Sequence, residues 1–405
     1  RNFRRYADKI IKMNKHKISV ALSGAGGYGY HYLKAFFNLP DGFNAILSSV
    51  FDPKLVDLEI YPELIKNGVN CFTEYEDFKN SLKNIDLVVI VSPIHRHGSQ
   101  TIDALKHGCN VLLDKPLASS LQEAHRIIEA RDASKGWVMT GYQWSFSKAI
   151  RDLKQDLLDG KLGKVKRAKT MILWPRDYNY YNRNNWAGKK YSHSGEIIND
   201  NPVNNAMAHF LHNLLYLTGS SMEESAVPVS GQAELYRAYN IQTFDTAVLE
   251  LFTRDETRIS FYGSHATHTE KGPLFILECD NGVVYYGELS KDIVAVFNDG
   301  SIKNYGNPDD TLQFHKLKVA IEACQNKPTL ICPPEASLAH TQVIEALSEI
   351  KLIKGFEPSL VVDDGVRRYV QGLSYMIYSS YQQGVMPGQS GFAYASPGQK
   401  FNIKY

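Results

Sequence analysis

Two basic side chains of this 405-residue sequence stand where they could move a proton during a reaction. Lys115 ends the apolar run of the stretch LLDKPLA, where Pro116 stops the pattern of a buried strand. His209 lies within the helical pattern NPVNNAMAHFLHNLLYLTG. Lysine and histidine side chains both serve as general acids or bases toward hydroxyl groups. Because a free lysine has a pKa of about 10.4, His209 is the simpler base at neutral pH, with Lys115 as hydrogen-bond donor.

The helix around His209 is expected to carry a polar face. Asn205, His209 and His212 follow one another at i, i+4 and i+7, so they should project from one side of a helix. A buried face with several donors and acceptors needs partners, which a polyhydroxylated substrate would supply. The alternative for His209 is a core histidine that is hydrogen-bonded to the backbone. No metal site is predicted, because the nearest carboxylates, Glu196 and Asp200, lie in the preceding loop.

A glycine-rich loop, GAGGYG at residues 24–29, follows a predicted strand and opens a predicted helix. Asp52 ends the next strand, 23 residues after Gly29. This arrangement is typical of dinucleotide binding, with the pyrophosphate at the helix N-terminus and the acid on the adenosine ribose. Asp52 favours NAD over NADP, although Lys54 could neutralise a 2′-phosphate; the alternative is a tight turn and a solvated carboxylate. The predicted cofactor contacts of this motif are Gly24, Gly26, Gly27, Tyr28, Gly29 and Asp52.

Small or polar residues follow each predicted strand of the N-terminal part. In a parallel sheet the carboxyl ends of the strands share one edge, which is where ligands bind. We therefore expect Lys115 to face a cofactor cleft, the alternative being a solvated lysine on the surface. The five strand ends are Ser23-Gly24, Asp52, Ser92-Pro93, Asp114-Lys115-Pro116 and Gly141-Tyr142-Gln143. Further cofactor contacts are thus predicted for Ser92, Pro93, Asp114, Lys115 and Gln143.

The segment PRDYNYYNRNNWAGKKYSHSGE, at residues 175–196, is rich in tyrosine, asparagine and basic residues. A loop of this length is either a functional lid or poorly ordered. Aromatic rings stack on the apolar faces of sugars, and amide or guanidinium groups bind hydroxyls. The predicted substrate contacts of this loop are Arg176, Tyr178, Asn185 and Trp186, in addition to Lys115, Asn205, His209 and His212.

The chain reads as an α/β protein of two domains. Apolar strands alternate with helices over residues 16–143, which predicts a doubly wound parallel sheet that binds NAD(P). Over residues 144–405 strands joined by turns such as Asp280-Asn281-Gly282 predict an α+β domain with an open antiparallel sheet. This second domain is expected to bind the substrate and to mediate oligomerisation, because a broad apolar sheet face does not stay exposed.

Composition excludes several classes of protein. The formal net charge of +2 provides no field for nucleic acid or an anionic membrane, and no run of about 18 apolar residues is present. Five scattered cysteines without a CxxC pair favour a reducing, cytoplasmic location. The basic start, RNFRRYADKIIKMNKHK, is interpreted as a solvated tail. There is no signal-peptide pattern, but the chain begins at Arg1 rather than Met, which leaves removal of a preceding segment open.

The stretches SPIHRHGSQTIDALKHGCNVLLDKPLA and TGYQWSF resemble the glucose–fructose oxidoreductase/inositol dehydrogenase/rhizopine-catabolism family, Gfo/Idh/MocA. The family's E-K-P motif corresponds to Asp114-Lys115-Pro116, and its T-P-x-x-x-H segment corresponds to Ser92, Pro93 and His97. Its D-x-x-x-H helix corresponds to the segment with Asn205 and His209, ten residues before Gly219. The resemblance implies that Lys115 and His209 are catalytic, with Asn205 beside them, and that His97 lies along the cofactor.

The resemblance further implies NAD(P)-dependent oxidation or reduction of a secondary alcohol on a sugar, sugar acid or cyclitol. It also implies a homodimer or homotetramer formed through the antiparallel sheet. Three departures stand out: Asn205 cannot carry the charge of the usual aspartate, the usual glycine triplet before the helix is missing, and Trp144 replaces an arginine.

Two other functions fit these departures. One is an NAD-dependent glycosidase that oxidises a sugar carbon, eliminates the aglycone and returns the hydride. The other is a non-enzymatic dinucleotide sensor, against which the retention of Lys115 and His209 weighs.

Overall fold

The structure, a computed structural model, describes residues 17–40, 43–310, 314–325 and 330–404. The basic start of the chain therefore lies outside the described residues, apart from Lys17. The described residues form two compact units. The first unit comprises those up to Asp114, those of Arg126–Met139 and those of Phe314–Leu330; the second comprises Lys115–His125, Thr140–Gln313 and Ile331–Tyr405.

The elements follow in chain order. The strands are β1 (Ile18–Ser23), β2 (Ala45–Phe51), β3 (Asn70–Phe72), β4 (Leu87–Ile90), β5 (Asn110–Leu113), β6 (Val138–Thr140), β7 (Val165–Leu173), β8 (Pro228–Arg237), β9 (Thr246–Thr253), β10 (Arg258–Ser264), β11 (Lys271–Cys279), β12 (Gly282–Tyr286), β13 (Ile293–Phe297), β14 (Ile302–Gly306), β15 (Lys354–Gly355), β16 (Val361–Asp363), β17 (Arg368–Val370) and β18 (Gln399–Asn402). The helices are α1 (Tyr28–Phe37), α2 (Tyr61–Lys66), α3 (Tyr75–Asn80), α4 (His97–Lys106), α5 (Leu121–Asp132), α6 (Lys148–Leu158), α7 (Tyr178–Asn182), α8 (Ala208–Leu217), α9 (His315–Gln325), α10 (Pro334–Ser348) and α11 (Leu373–Gln383).

The first unit is built on a six-stranded sheet of order β3-β2-β1-β4-β5-β6. Strands β1 to β5 pair in parallel, as their apolar runs predicted, and all four residues of β4 are buried. Parallel strands are apolar throughout because helices cover both faces of the sheet. The strand order is that of dinucleotide-binding folds, in which the chain reverses direction across the sheet beside β1. The predicted Rossmann architecture is confirmed.

Local signals in the sequence mark the ends of two helices. Helix α4 ends just before Gly108, whose φ of 80° suits the left-handed residue that often follows a helix. At the start of α5 the N–H of Glu123 donates to Ser120 Oγ at 3.2 Å. The Glu123 carboxylate accepts from the N–H of Ser119 at 2.9 Å, so the return half of this capping box is shifted by one residue.

Helix α9 joins the first unit although it begins at His315, about 170 residues beyond the predicted boundary at residue 143. Its Lys316 forms a buried ion pair with Asp114, with Nζ and Oδ1 2.8 Å apart. The ring of Phe314 packs against Tyr32 of α1, with centroids 4.9 Å apart. The division of the chain differs from the prediction because these contacts join residues that are distant in sequence.

The second unit contains a ten-stranded sheet of order β14-β13-β12-β11-β7-β10-β9-β8-β15, with β18 also paired to β8. Most pairs are antiparallel, as predicted, but β10 pairs with β7 in parallel and β15 with β8 in parallel. Helices α8 and α11 pack on opposite faces. Tyr262 of β10 belongs to the apolar cluster of α11, whereas a Cβ on the next residue, Gly263, would lie 2.8 Å from Met207 Sδ beside α8.

The second face of this sheet is largely covered by the chain's own C-terminal segment. Leu373, Met376 and Ile377 of α11 are completely buried in a cluster with residues of β7 to β11. The apolar face that was predicted to need a partner subunit is therefore occupied over these strands. Tyr285 and Val296, farther along the same face, remain 41% and 38% exposed. A homodimer or homotetramer stays a prediction, with this remainder as the available surface.

No helix among the described residues is both long and apolar enough to cross a membrane.

Candidate functional site

The glycine loop of the first unit has the shape that dinucleotide binding requires. Gly24 has a φ of 94°, and a Cβ there would lie 2.8 Å from the N atom of Ser92. A Cβ on Gly29 would lie 1.7 Å from the Gly24 carbonyl oxygen, so only glycine lets α1 approach the loop. A Cβ on Gly26 would make only ordinary contacts, the nearest at 3.6 Å, and one on Gly27 would meet nothing within 4 Å. The loop thus leaves space beside Gly26 and Gly27, where the sequence predicts the pyrophosphate.

Asp52 is anchored by this loop. Its Oδ2 accepts the N–H groups of Ala25 at 2.9 Å and Gly26 at 3.0 Å, and its Oδ1 accepts the N–H of Lys54 at 2.9 Å. The carboxylate is half-buried and the Lys54 side chain is exposed. These three bonds leave about one of the four lone-pair sites of the carboxylate free for a ribose hydroxyl. The residues present therefore fit a bound NAD.

The predicted cofactor segment after β4 forms a buried bracket. His97 Nε2 is 2.9 Å from the Ser92 carbonyl oxygen, and Pro93 precedes a short 3₁₀ helix. The hydroxyls of Ser92 and Ser23 both donate to Gln100 Oε1, at 2.7 and 2.9 Å. Gln100 therefore connects the ends of β1 and β4. This role was not predicted, because in the sequence Gln100 is one polar residue within a helical pattern.

Two further predicted cofactor residues lie in different surroundings. Gln143 is half-buried and begins the 3₁₀ helix Gln143–Phe146. Asp114 is buried, paired with Lys316, and lies 3.4 Å from the Tyr32 hydroxyl. Burial and then the charge of Asp114 raise the pKa of Tyr32 well above its usual value. Asp114 therefore has a structural partner, Lys316, which no local pattern indicated.

In the second unit, Lys115 is held by Asn205. Its ammonium donates to the Asn205 carbonyl oxygen at 2.8 Å and to Asn205 Oδ1 at 2.9 Å. The Asn205 amide in turn donates to Asp200 Oδ1 at 2.6 Å. Both Lys115 and Asn205 are half-buried, whereas Asp200 is 2% exposed. The three side chains form a continuous line from a carboxylate to an ammonium group.

Asp200 supplies the negative charge that Asn205 lacks. Its Oδ2 accepts the N–H of Gly188 at 2.6 Å and lies 3.3 Å from Arg183 Nη2. Sequence reasoning considered Asp200 only as a metal ligand and rejected it. The sequence signal that could have identified Asp200 is its position five residues before Asn205, which stands where the resemblance leads us to expect an aspartate. No group of three or more potential metal ligands occurs in the part of the chain that the structure describes.

The three residues of the polar face predicted for the His209 helix lie in different surroundings. Helix α8 begins at Ala208, so Asn205 lies in the preceding turns and not on the helix. Its N–H and that of Met207 bond to Asn201 and Pro202, in turns that continue to the helix start. His209 is half-buried, but His212 is only 1% exposed.

His212 lies in the core of the second unit. Its ring stacks on Tyr142 with centroids 3.7 Å apart and 16° between the planes. Its Nε2 lies 3.0 Å from Ser145 Oγ. Burial lowers the pKa of His212 well below its usual value, so the ring is neutral. These contacts favour the alternative of a core histidine over a substrate contact for His212.

Tyr142 connects the two histidines of α8 with His340. Its ring is nearly perpendicular to that of His209, with centroids 5.8 Å apart. His340 Nε2 lies 3.0 Å from the Val203 carbonyl oxygen, which can only accept, so Nε2 carries the proton. His340 Nδ1 then accepts from the Tyr142 hydroxyl at 3.0 Å. Burial lowers the pKa of His340 to about 4, which keeps this arrangement neutral.

The predicted substrate loop brings cationic and aromatic groups together. The guanidinium of Arg176 lies 4.8 Å from the ring centroid of Tyr180, and that of Arg183 lies 3.9 Å from it. Arg183 also lies 5.1 Å from the Trp186 ring. Arg176 and Trp186 were predicted as substrate contacts, which stays a prediction, and Tyr180 and Arg183 complete the cluster without having been singled out in the sequence.

Two other predicted loop residues lie apart from this cluster. The Tyr178 hydroxyl donates to Asp363 Oδ2 at 2.5 Å, and its ring packs edge-on against Tyr239. Asn185 is exposed. Their assignment as substrate contacts stays a prediction.

Comparisons with known proteins agree with this fold. Residues 18–142 match the family model GFO_IDH_MocA, described as an oxidoreductase family with an NAD-binding Rossmann fold. The scyllo-inositol 2-dehydrogenase (NAD(+)) of Bacillus subtilis (strain 168) is 30% identical over 153 residues, which are 37% of this chain and 43% of that relative. The 2,7-anhydro-N-acetylneuraminate hydratase of Mediterraneibacter gnavus is 25% identical over 211 residues, 51% of either chain. The chain thus spans about half the length of these curated relatives, or less.

The solved structures with this fold include the WlbA dehydrogenase from Bordetella pertussis in complex with NADH and UDP-GlcNAcA. The TM-score is 0.65 at 18% identity, over 81% of this chain and 94% of that chain. At this identity the likeness establishes the fold alone. The glycine loop, Asp52 and the strand order agree with the family match over the same residues. Residues 18–142 of this chain thus match the NAD-binding Rossmann fold of the Gfo/Idh/MocA oxidoreductase family.

Proposed function

We propose that this protein is an NAD-dependent oxidoreductase that oxidises a secondary alcohol of a small polyhydroxylated substrate, a sugar, sugar acid or cyclitol. The observation that carries the proposal is the line from Asp200 through Asn205 to Lys115. It fixes the ammonium group of a residue that follows the end of strand β5, at Leu113, by two positions. A relative that is a scyllo-inositol dehydrogenase supports the substrate class.

The residues divide the work of the reaction as follows. Gly24, Gly26, Gly29 and Asp52 would hold NAD, which supplies the acceptor for a hydride when it is bound. The Lys115 ammonium donates a hydrogen bond to the substrate oxygen and stabilises the negative charge that develops there. His209 takes the hydroxyl proton as the C–H bond breaks, so the alcohol loses one proton and one hydride and becomes a ketone.

Lys115 suits the role of donor better than that of base. Its two acceptors in Asn205, one of them polarised by Asp200, favour the charged ammonium over the neutral amine. His209 is half-buried beside Tyr142, whose hydroxyl is committed to His340. Tyr142 is therefore a positioning residue that fixes one side of the His209 ring.

A second candidate is the NAD-dependent glycosidase-like reaction, in which a transient ketone promotes elimination and the hydride then returns. The replacement of the usual aspartate by Asn205 and a relative that is an anhydroneuraminate hydratase favour its consideration. The residues proposed for the oxidation step are the same in both cases. Net NADH formation distinguishes them, because only the dehydrogenase accumulates it.

The decisive experiment replaces Lys115 with methionine and follows both NADH absorbance and release of a leaving group. Substrates are found first by screening sugars, uronates and inositols with NAD. Lys115→Met should retain NAD affinity and lose about 10²- to 10⁴-fold in turnover, as expected for a positioned acid–base group. His209→Gln should lose a similar factor. Lys106→Met, an exposed lysine of α4, is the matched control and should be unaffected. Near-parental turnover of Lys115→Met would contradict the proposal.

A further inference from the structure

Two guanidinium groups of the second unit share one aromatic ring. Arg176 and Arg183 lie 4.8 and 3.9 Å from the centroid of Tyr180, so the two cations are at most about 9 Å apart and repel each other. Trp174 lies 5.5 Å from Arg176, and Trp186 lies 5.1 Å from Arg183. The cluster thus concentrates positive charge among rings whose faces could pack on a sugar.

The negative charge available to this cluster is insufficient. Among the described carboxylates Arg183 reaches only Asp200, at 3.3 Å, and Asp200 already accepts from Asn205 and Gly188. Arg176 forms no ion pair with any carboxylate of the described residues. Its Nε is buried and has no hydrogen-bond partner among them. A buried guanidinium N–H without an acceptor is costly, which indicates that an acceptor arrives from outside.

His265 offers a second unsatisfied atom. The side chain is 2% exposed, and its Nδ1 donates to the Trp174 carbonyl oxygen at 2.8 Å. Nε2 is therefore an acceptor, and it has no partner among the described residues. Burial and then the charge of Arg176 lower the pKa of His265 to about 3, so this ring adds no third charge. Among the described residues, Arg176 Nε is thus a donor without an acceptor, and His265 Nε2 is an acceptor without a donor.

We infer that Arg176 and Arg183 form a subsite for an oxyanion group of the substrate, either the carboxylate of a sugar acid or the phosphate of a sugar phosphate. A guanidinium presents paired N–H groups that match both kinds of oxyanion. A neighbouring hydroxyl of the same molecule could donate to His265. The inference rests on the proposed function of the site, whose Lys115 is linked to Arg183 through Asn205 and Asp200.

Binding is measured first, so that the test does not depend on turnover. Calorimetry with NADH present compares neutral and anionic members of matched pairs: glucose with glucuronate, galactose with galacturonate, and glucose with glucose 6-phosphate. The anionic member of at least one pair should bind about 10- to 100-fold more tightly, as charge-assisted hydrogen bonds predict. The uronate and phosphate arms identify which oxyanion is preferred. Arg176→Gln and Arg183→Gln should each reduce that preference about tenfold or more.

Arg167→Gln, an exposed arginine of β7, is the matched control and should keep the preference. The inference is overturned if no anionic member binds more tightly than its neutral partner, or if the two variants keep the preference. NADH formation is then followed on the same pairs. If neutral sugars are turned over faster than their anionic partners, the subsite is overturned and the proposed oxidation stays intact. Tight anion binding without turnover of any pair would support the subsite and count against the oxidation.

Discussion

Replacing Asp200 with asparagine should weaken catalysis, and adding Asn205→Asp should restore it. The first hydrogen bond, from Asn205 Nδ2 to Asp200 Oδ1, is 2.6 Å long, and the second, from Lys115 Nζ to Asn205 Oδ1, is 2.9 Å long. The charge of a buried carboxylate is thus transmitted to the ammonium group through a neutral amide. Moving that charge by one residue tests whether Lys115 needs it.

The size of the effect follows from the geometry. Two hydrogen bonds and the amide between them put the Asp200 carboxylate roughly 7 Å from the Lys115 ammonium, where the attraction is about 2 kcal/mol at an effective dielectric of about 20. Lys115 is half-buried, so solvent screening reduces this to about 1 kcal/mol. Since about 1.4 kcal/mol is a tenfold change in rate, Asp200→Asn should lower kcat/KM about fivefold, and about 30-fold at most if the attraction is not screened. The substitution also places a new N–H donor opposite one of two existing donors, the Asn205 amide or the Gly188 N–H.

The double variant Asp200→Asn/Asn205→Asp reverses the polarity of the line from position 200 to Lys115 without losing a hydrogen bond of that line. The new amide at position 200 can accept from the Gly188 N–H and donate to the new carboxylate at position 205. That carboxylate then contacts Lys115 directly. We expect kcat/KM to return to within about threefold of the parent. The two substitutions should therefore compensate each other and not add their separate losses.

The assay is steady-state NADH formation at several pH values, with thermal unfolding to exclude loss of the fold. Parental kcat/KM in Asp200→Asn would show that the charge is irrelevant to Lys115. A double variant as impaired as the single variant would show that Asp200 acts only through Gly188 and Arg183. Either result would refute the reasoning.

Two other predictions concern the cofactor and stability. Asp52→Ala should weaken NAD binding about tenfold and reduce the preference of the protein for NAD over NADP, because Asp52 is the predicted ribose contact and holds the Ala25 and Gly26 amides. Equal affinities of the parent for NAD and NADP by calorimetry would contradict this. Burial lowers the pKa of Lys154 from its usual 10.5 to about 7, so the unfolded chain binds more protons between these values and stability should rise with pH there. Lys154→Met should flatten this rise and add about 1–3 kcal/mol to the free energy of unfolding at pH 7, after loss of the hydrogen bond to the Glu224 carbonyl. Urea unfolding at pH 6, 7 and 9 checks it; an unchanged pH dependence would contradict it.

Local signals in the sequence were sufficient for the Rossmann sheet and the glycine loop. The apolar runs of β1, β4 and β5 predict buried parallel strands because both faces of such a strand are covered. Gly29 is required by its contact with Gly24 five residues before it, and Gly24 has a positive φ, so their spacing carries local information. The contact of Gly24 with Ser92, in contrast, depends on the pairing of the strands. The place of Lys115 after a strand end likewise follows from the strand itself.

The surroundings of these residues could not be predicted in the same way. Periodicity placed Asn205, His209 and His212 on one face, but the helix begins at Ala208 and its packing puts His212 in the core against Tyr142. Turn geometry and the neighbouring helices decide which side of α8 is accessible, and neither is encoded by spacing alone.

The sequence by itself determined the cofactor fold, the glycine loop and the identity of the basic residue at the strand end, because each depends on neighbours within a few residues. Only the tertiary structure decided that Asp200 supports Lys115 through Asn205, that Lys316 neutralises Asp114, and that α11 covers the sheet face predicted for a partner. Lys316 and Asp114 are 202 positions apart, and Lys115 and Asn205 are 90 apart. Such pairs form because packing excludes water and leaves each buried charge or polar group to find the partner that the fold brings within reach.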